Sequence, residues 1–233
     1  VVPGAGVQAR HVDLGGVGAS FLSSFRSEDQ SGAAVAGAGD VNGDGYDDIL
    51  IGAPQAEQDG SNRGAAFLFL GMPAGWVMDV DLADADASYY GVANSDGVGR
   101  ALAGAGDLNG DGYDDMLISA AGNDAYGTRT GQTYVVFGKA SGWATGLTMA
   151  VADASFHGED YFDDSGVAVA GGGDINGDGF DDLVVGAIGA AANYGEAYVV
   201  FGKASGWTRG VDLADADASY QAEGYTDDAG ASV

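Results

Sequence analysis

The chain contains no cysteine, only three prolines and two histidines, and few basic residues. Without cysteine it can have neither a disulfide framework nor a thiol nucleophile. Eight Lys and Arg against 35 Asp and Glu give a formal net charge of −27, which excludes a nucleic-acid groove and attraction to anionic membranes. No apolar run approaches the roughly 18 residues that a membrane helix needs. We therefore expect no nucleic-acid partner and no membrane span in this chain.

Glycine and acidic residues dominate what the chain does contain. Its 233 residues include 43 glycines, and 46% of the residues are apolar. That apolar fraction is ordinary for a globular protein and too high for a disordered acidic tail, so we expect a sizeable core.

One nine-residue pattern occurs three times, at residues 40–48, 107–115 and 174–182, with a period of 67 residues. Places one, three, five and nine carry Asp, Asn, Asp and Asp, and place six is always glycine. Calcium takes six to eight oxygen ligands at about 2.4 Å, and this pattern, with a backbone carbonyl at place seven and a bidentate ninth Asp, supplies about six. The predicted ligands are Asp40, Asn42, Asp44, Tyr46, Asp48, Asp107, Asn109, Asp111, Tyr113, Asp115, Asp174, Asn176, Asp178, Phe180 and Asp182.

Two other interpretations explain less of this pattern. An EF-hand needs an acid at the twelfth place, where the chain has Ile51, Ile118 and Val185. Asn-Gly between apolar runs is a strong hairpin signal, but a hairpin does not require three carboxylates at fixed offsets. Those like charges would repel one another without a cation among them. The sequence therefore predicts three Ca²⁺ sites. The eighth-place residues Asp47, Asp114 and Asp181 are left outside the predicted metal shell, as outer-shell groups or solvated charges.

The segments around each loop repeat with it and are typical of β-strands. The first three strands are predicted at 32–37, 49–51 and 65–71 in the first repeat and at 99–104, 116–118 and 133–138 in the second. In the third repeat they are predicted at 166–171, 183–185 and 197–202. A Gly-Trp turn follows, and then a segment with alternating Asp and Ala, which predicts an outer fourth strand whose charges discourage edge pairing. Four antiparallel strands repeating at fixed spacing predict an all-β fold of β-propeller blades, with a calcium loop between strands one and two.

The chain resembles the FG-GAP repeats of the integrin α-subunit β-propeller and of large bacterial surface proteins. The resemblance covers nearly the whole length and rests on residues 32–54, which hold the loop and end in Ile51-Gly52-Ala53-Pro54. The other copies keep the loop, but their endings change to Ser119-Ala120-Ala121 and Gly186-Ala187-Ile188. The resemblance implies calcium in each loop, on one rim of the propeller. The lack of Cys and the low basic content are closer to the bacterial members.

Related propellers close with about seven blades, so we expect a partial propeller of about 3.5 repeats, either a fragment or a subunit completed by other copies. The expected divisions of this single domain are residues 1–31 as the end of a preceding blade and a connector, 32–98 as blade 1, 99–165 as blade 2, 166–229 as blade 3, and 230–233 as the start of a further blade.

Motifs for catalysis are missing from the sequence. His11 and His157 have no counterparts in the other repeats, and the chain has no nucleophile elbow, zinc-protease motif or phosphate loop. Trp76, Trp143 and Trp207 could stack on sugars, but recurrence at one place in every repeat favours blade packing. We therefore predict no catalytic residue and no cofactor besides Ca²⁺.

The sequence as a whole predicts a non-enzymatic, calcium-binding module with a structural, adhesive or assembly role. Exposed calcium loops usually bind in the micromolar to millimolar range and so fill outside cells, which favours an extracellular or cell-surface location, in a bacterium. The expected partners are a protein or glycan ligand or other copies of the chain. Two alternatives stay open: the scaffold of a secreted enzyme that cleaves polysaccharide or lipid, and a glycan-binding lectin.

Overall fold

The computed structural model describes residues 21–22, 28–74, 77, 79–222 and 229–233, which fold predominantly as β-structure. Three antiparallel sheets, called blades 1, 2 and 3 below, each contain four strands that lie side by side in chain order. His11 and the Gly75-Trp76 turn lie outside the described residues. The predicted all-β fold with four-stranded blades is confirmed.

The twelve blade strands match the repeat in the sequence. Blade 1 consists of Ala34–Gly39, Asp48–Ala53, Ala65–Phe69 and Ala87–Tyr90. Blade 2 consists of Val98–Gly106, Asp115–Ala120, Gln132–Val136 and Ala154–His157. Blade 3 consists of Ser165–Gly173, Asp182–Ala187, Glu196–Val200 and Ala218–Gln221. The connection between the second and third strands holds a small ladder in blade 1, Glu57–Gln58 with Ser61–Asn62, and a short helix in blade 3, Ala190–Asn193.

The prediction that the alternating Asp-Ala segment is one outer strand is wrong for its first half. A 3₁₀ turn comes first, at Leu82–Asp84, Met149–Val151 and Leu213–Asp215. In blade 1 the Asp81 carboxylate accepts the backbone N–H of Ala83 at 2.9 Å and caps this turn. Asp212 caps the turn of blade 3 in the same way, a local bond that is common for Asp. In blade 2 the turn follows Thr148 and forms without a side-chain cap.

The outer edge of a blade is protected by hydrogen bonding, whereas the sequence predicted protection by charge. The two residues before each 3₁₀ turn form a short strand that pairs in parallel with the outer strand of the preceding blade. Leu147 of blade 2 lies opposite Tyr89 of blade 1, and Val211 of blade 3 lies opposite Phe156 of blade 2. Val80–Asp81 pairs in the same way with Phe21–Leu22. Each of these outer strands is therefore closed by the blade that follows it.

Apolar cores lie between the blades, because the second strand of a blade buries both of its faces. In blade 2, Met116 and Ile118 join the core shared with blade 1, whereas Leu117 joins the core shared with blade 3. This is the alternation that a strand requires. The first strands of neighbouring blades pack against one another. The first strands therefore form the inner side of the arrangement, and the blades extend outward from it.

Candidate metal centres

Each nine-residue loop joins the first and second strands of its blade and is organised by its own side chains. The first Asp receives backbone N–H groups from later in the loop: Asp40 Oδ2 accepts from Gly45 at 2.8 Å, Asp107 Oδ2 from Gly112 at 2.8 Å, and Asp174 Oδ2 from Gly179 at 2.9 Å. The sixth-place glycine has a positive φ of 91°, 90° or 94°, which glycine adopts without strain. The turn is therefore the same in all three copies.

The predicted ligands at places one, three and five are brought together. In loop 1 the Asp44 N–H donates to Asp40 Oδ1 at 3.0 Å and to Asn42 Oδ1 at 2.8 Å, so two predicted ligand oxygens lie around one hydrogen. The Asn42 side-chain amide donates to Asp44 Oδ2 at 3.0 Å. Loops 2 and 3 repeat all three contacts at 2.8–3.0 Å.

The ninth-place Asp lies under the loop and is buried. Asp48 accepts the N–H of Val41 at 2.9 Å through Oδ2 and the N–H of Gly71 at 2.6 Å through Oδ1. Asp115 and Asp182 make the same pair of bonds, to Leu108 and Gly138 and to Ile175 and Gly202. A carboxylate oxygen that accepts one N–H bond keeps a lone pair for a cation. These residues thus tie the loop to the end of the third strand.

Burial and the neighbouring carboxylates disfavour the ionised form of the ninth-place Asp. Burial raises the pKa of the Asp115 carboxyl to about 7, and the Asp111 and Asp107 charges add to the rise, while the two backbone donors oppose it. Burial likewise raises the pKa of Asp48. A divalent cation between these acids would reverse that balance.

Among the described residues, no three His, Cys, Asp or Glu side chains form a group able to hold a metal ion. The three carboxylates of each loop are therefore not gathered into a ready-made metal group. Three carboxylates, an amide oxygen and a carbonyl form an all-oxygen set of the kind that calcium prefers. The types of donor present therefore fit the ion, and the fifteen assigned ligands stay a prediction.

The eighth-place Asp has a contact that the sequence did not reveal. Asp114 Oδ2 accepts the backbone N–H of Asp40 at 2.8 Å, and Asp181 Oδ2 accepts that of Asp107 at 2.9 Å. Each bond joins the loop of one blade to the loop of the blade before it. The recurrence of Asp at this place was a signal, but only the structure supplies the partner 74 residues away.

The recurring place of Trp143 and Trp207 is explained by packing. Trp207 of blade 3 meets Phe137 and Phe156 of blade 2 edge to face, with ring centroids 5.7 and 6.3 Å apart. Trp143 packs against the core between blades 1 and 2. His157 is also structural: its Nδ1 lies 2.8 Å from the Gly158 carbonyl, and its ring stacks on Tyr126.

A cavity of about 820 Å³ opens beside blade 3, near the connection from blade 2. Glu159, Glu196 and Tyr198 are among the residues that line it, and the Tyr198 hydroxyl lies 2.9 Å from Glu159 Oε1 and 3.2 Å from Glu196 Oε2. Burial and these carboxylates raise the pKa of Tyr198. Glu159 lies in the connection between blades 2 and 3, whereas Glu196 and Tyr198 lie on the third strand of blade 3.

Comparison with known proteins identifies what the repeat is similar to. The sequence model of the FG-GAP repeat matches residues 31–69, 98–136 and 165–200. Integrin alpha pat-2 of Caenorhabditis briggsae is 36% identical over 171 residues, which cover 67% of this chain and 13% of that protein. Human integrin alpha-6 is 30% identical over 152 residues, 64% of this chain and 12% of that protein. Mouse integrin alpha-IIb is 34% identical over 159 residues, 65% of this chain and 14% of that protein.

The chain thus spans about an eighth of the length of these relatives. Within the described residues, no helix has both the length and the apolar character needed to span a membrane.

Proposed function

Since the chain belongs to the FG-GAP repeat family, we propose that it is an extracellular, calcium-binding β-propeller module with a structural, adhesive or assembly role and no enzymatic activity. Its blades form one domain divided at the boundaries predicted from the repeat. The relatives compared above are integrin alpha chains of animals, and a bacterial source stays a prediction.

One observation carries the proposal: the same donor set recurs in three loops with the same hydrogen-bond network. Each loop would hold one Ca²⁺ through its side chains at places one, three, five and nine and its carbonyl at place seven. The ion would supply the positive charge that lets three carboxylates share one turn. The chain's own part is to hold these oxygens in place through backbone N–H bonds and through the buried ninth Asp.

The role that follows is that of a clamp on the blade. Asp48 connects its loop to Gly71, at the end of the third strand, and to Val41, which lies in the core between blades 1 and 2. Ordering the loop therefore orders the end of the blade. Because a preformed site rarely exists in the unfolded chain, binding free energy becomes folding free energy. Calcium outside the cell would keep such a module folded.

Adhesion is proposed because the relatives are integrin alpha chains, which suggests a protein ligand; a glycan or another copy of the chain is also compatible with the repeated acidic rim.

The test is calcium binding measured together with thermal unfolding. Isothermal titration should find three sites, and each site should add about 2.7 kcal/mol of stability when calcium is at 100 times its dissociation constant. Replacing the fifth-place acids together (Asp44→Ala, Asp111→Ala and Asp178→Ala) should abolish both effects. Asp84→Ala removes an exposed acid outside the loops and should leave both unchanged. Equal melting temperatures in calcium and in EGTA would refute the proposal.

The cavity at Glu159 and Glu196 gives a second candidate function, glycan binding or glycan cleavage. Aromatic Tyr161 and Phe162 line the same cavity and are largely exposed, and aromatic rings with carboxylates are suited to sugars. A glycan array tests this candidate. Saturable binding that is lost in Glu159→Gln but kept in Asp84→Ala would favour it over a purely structural role.

A further inference from the structure

Neighbouring loops are joined by two hydrogen bonds at the first ligand position. Asp114 Oδ2 accepts the Asp40 N–H at 2.8 Å, and the Asp114 N–H donates to the Asp40 carbonyl at 3.3 Å. Asp181 makes the same pair with Asp107, at 2.9 and 3.2 Å. The backbone of the first predicted ligand is therefore held on both sides by the eighth residue of the next loop.

Side-chain packing fixes the same junction. A Cβ added to Gly39 would lie 2.1 Å from Asp114 Oδ2, and one added to Gly43 would lie 2.7 Å from Cε1 of Tyr113. The blade 2–blade 3 junction repeats this arrangement, with Gly106 against Asp181 and Gly110 against Phe180. The seventh and eighth residues of one loop thus pack directly on the glycines of the loop before it.

We propose that Asp114 and Asp181 are positioning residues that couple adjacent calcium loops, so that filling one loop raises the affinity of its neighbour. The inference rests on the proposed calcium binding. Asp114 stands between the seventh and ninth ligand positions of loop 2, so a cation that orders those positions also orders the Asp114 carboxylate. That carboxylate holds Asp40, the first ligand of loop 1. Coupling of binding free energies is reciprocal, so loop 1 favours loop 2 equally.

The geometry makes the coupling a nearest-neighbour effect. Loop 2 contacts loop 1 through Asp114 and loop 3 through Asp181, and no hydrogen bond among the described residues joins loop 1 to loop 3. In loop 3, Gly173 and Gly177 correspond to Gly39 and Gly43, and a Cβ added to either meets no described atom within 4 Å. Loop 3 therefore lacks a bracing neighbour on that side within the described chain.

The experiment follows the amide NMR signals of the sixth-place glycines, Gly45, Gly112 and Gly179, during titration of the full chain with CaCl₂. Each signal reports its own loop, because its N–H bonds to the first Asp. Asp111→Ala empties loop 2 and should weaken loops 1 and 3 by about tenfold each, within the usual range for coupled sites. Asp44→Ala empties loop 1 and should weaken loop 2 but leave loop 3 unchanged.

The positioning residue is identified by combining variants. With Asp114→Ala present, Asp111→Ala should no longer affect loop 1 but should still weaken loop 3. Asp114→Asn keeps an oxygen that can accept the Asp40 N–H, so it should keep the coupling. Asp47→Ala is the matched control, since Asp47 holds the eighth place of loop 1 and residues 1–39 contain no copy of the loop. It should leave the coupling between loops 1 and 2 unchanged.

Three results overturn the inference. If loop 1 binds equally well with loop 2 empty, the loops are independent although each binds calcium. If the coupling survives Asp114→Ala, other contacts carry it. If no glycine signal responds to calcium, the proposed function fails and the coupling fails with it. If Asp114→Ala does not fold, the calcium affinities of Asp44→Ala and Asp111→Ala, each measured with and without Asp114→Asn, still show whether the loops are coupled or independent.

Discussion

Replacing Gly43 by alanine should destabilise the chain more than the same change at the equivalent Gly177. Both residues have a left-handed backbone, with φ of 72° and 78°, so alanine costs roughly 1–2 kcal/mol of strain at either position. At Gly43 the new Cβ would also lie 2.7 Å from Cε1 and 3.1 Å from Cδ1 of Tyr113, whereas at Gly177 it meets no described atom within 4 Å. Overpacking of this kind costs about 1–3 kcal/mol more.

Urea unfolding at saturating calcium measures the difference. We expect a loss of roughly 2–5 kcal/mol for Gly43→Ala, as the sum of strain and overpacking, against about 1–2 kcal/mol for Gly177→Ala. Gly110→Ala should behave like Gly43→Ala, because its Cβ would lie 2.5 Å from Cε1 of Phe180.

A double-mutant cycle with Tyr113→Ala separates the two causes. In the Tyr113→Ala background the contact is removed, so Gly43→Ala should cost only its strain, about 1–2 kcal/mol. The Tyr113 backbone carbonyl, the predicted ligand, is unchanged by this variant. If Gly43→Ala and Gly177→Ala cost the same, or if Tyr113→Ala changes nothing, packing between the loops does not contribute to stability as described.

Two further changes test the cores and the acidic loops. Leu117→Ala removes a fully buried side chain from the core between blades 2 and 3 and should lower the free energy of unfolding by about 2–5 kcal/mol. Val35→Ala changes a side chain that is 68% exposed and should alter that free energy by less than about 0.5 kcal/mol. Similar urea midpoints for the two variants would contradict the assignment of the core. Burial raises the pKa of Asp96, although the Ala93 N–H at 2.8 Å opposes the rise. The folded state therefore holds this proton more tightly than the unfolded state does. Stability is lost as the pH rises from the pKa of the unfolded state, near 3.9, through the raised pKa of the folded state. Asp96→Asn has no such proton, and its stability relative to the parent chain should improve as the pH rises above about 4. A difference in stability that does not change as the pH rises would argue against the raised pKa.

Local patterns were sufficient to predict the strands and the loops. The apolar run Met116-Leu117-Ile118 predicted a second strand, and the continuous apolar character of the run agrees with its entry into two different cores. The loop pattern predicted a repeated turn that gathers the side chains at places one, three and five. In both cases the determining contacts lie within a few residues or follow from a two-residue period.

Contacts between blades could not be predicted in the same way. The bond from Asp40 to Asp114 joins residues 74 positions apart, and a regularly placed Asp looks the same in sequence whether it is solvated or bonded. The parallel pairing of Leu147 with Tyr89 involves only two residues of each strand, too few to leave a pattern. The start of the outer segment was predicted incorrectly, because the Asp-Ala alternation favours a strand and does not reveal the 3₁₀ turn that Asp81 caps in blade 1.

The bonds between successive loops also bear on how such a chain can change its length during evolution. The two Asp-to-loop bonds span 74 residues in both junctions, whereas the parallel pairs near the outer strands span 58 residues at Leu147 and Tyr89 and 55 at Val211 and Phe156. The three-residue difference between the two junctions, 58 against 55, therefore lies away from the loop rim. A duplicated repeat would carry a complete donor and acceptor set for its neighbours on both sides. Gene duplication can then add a blade without any new contact having to be selected.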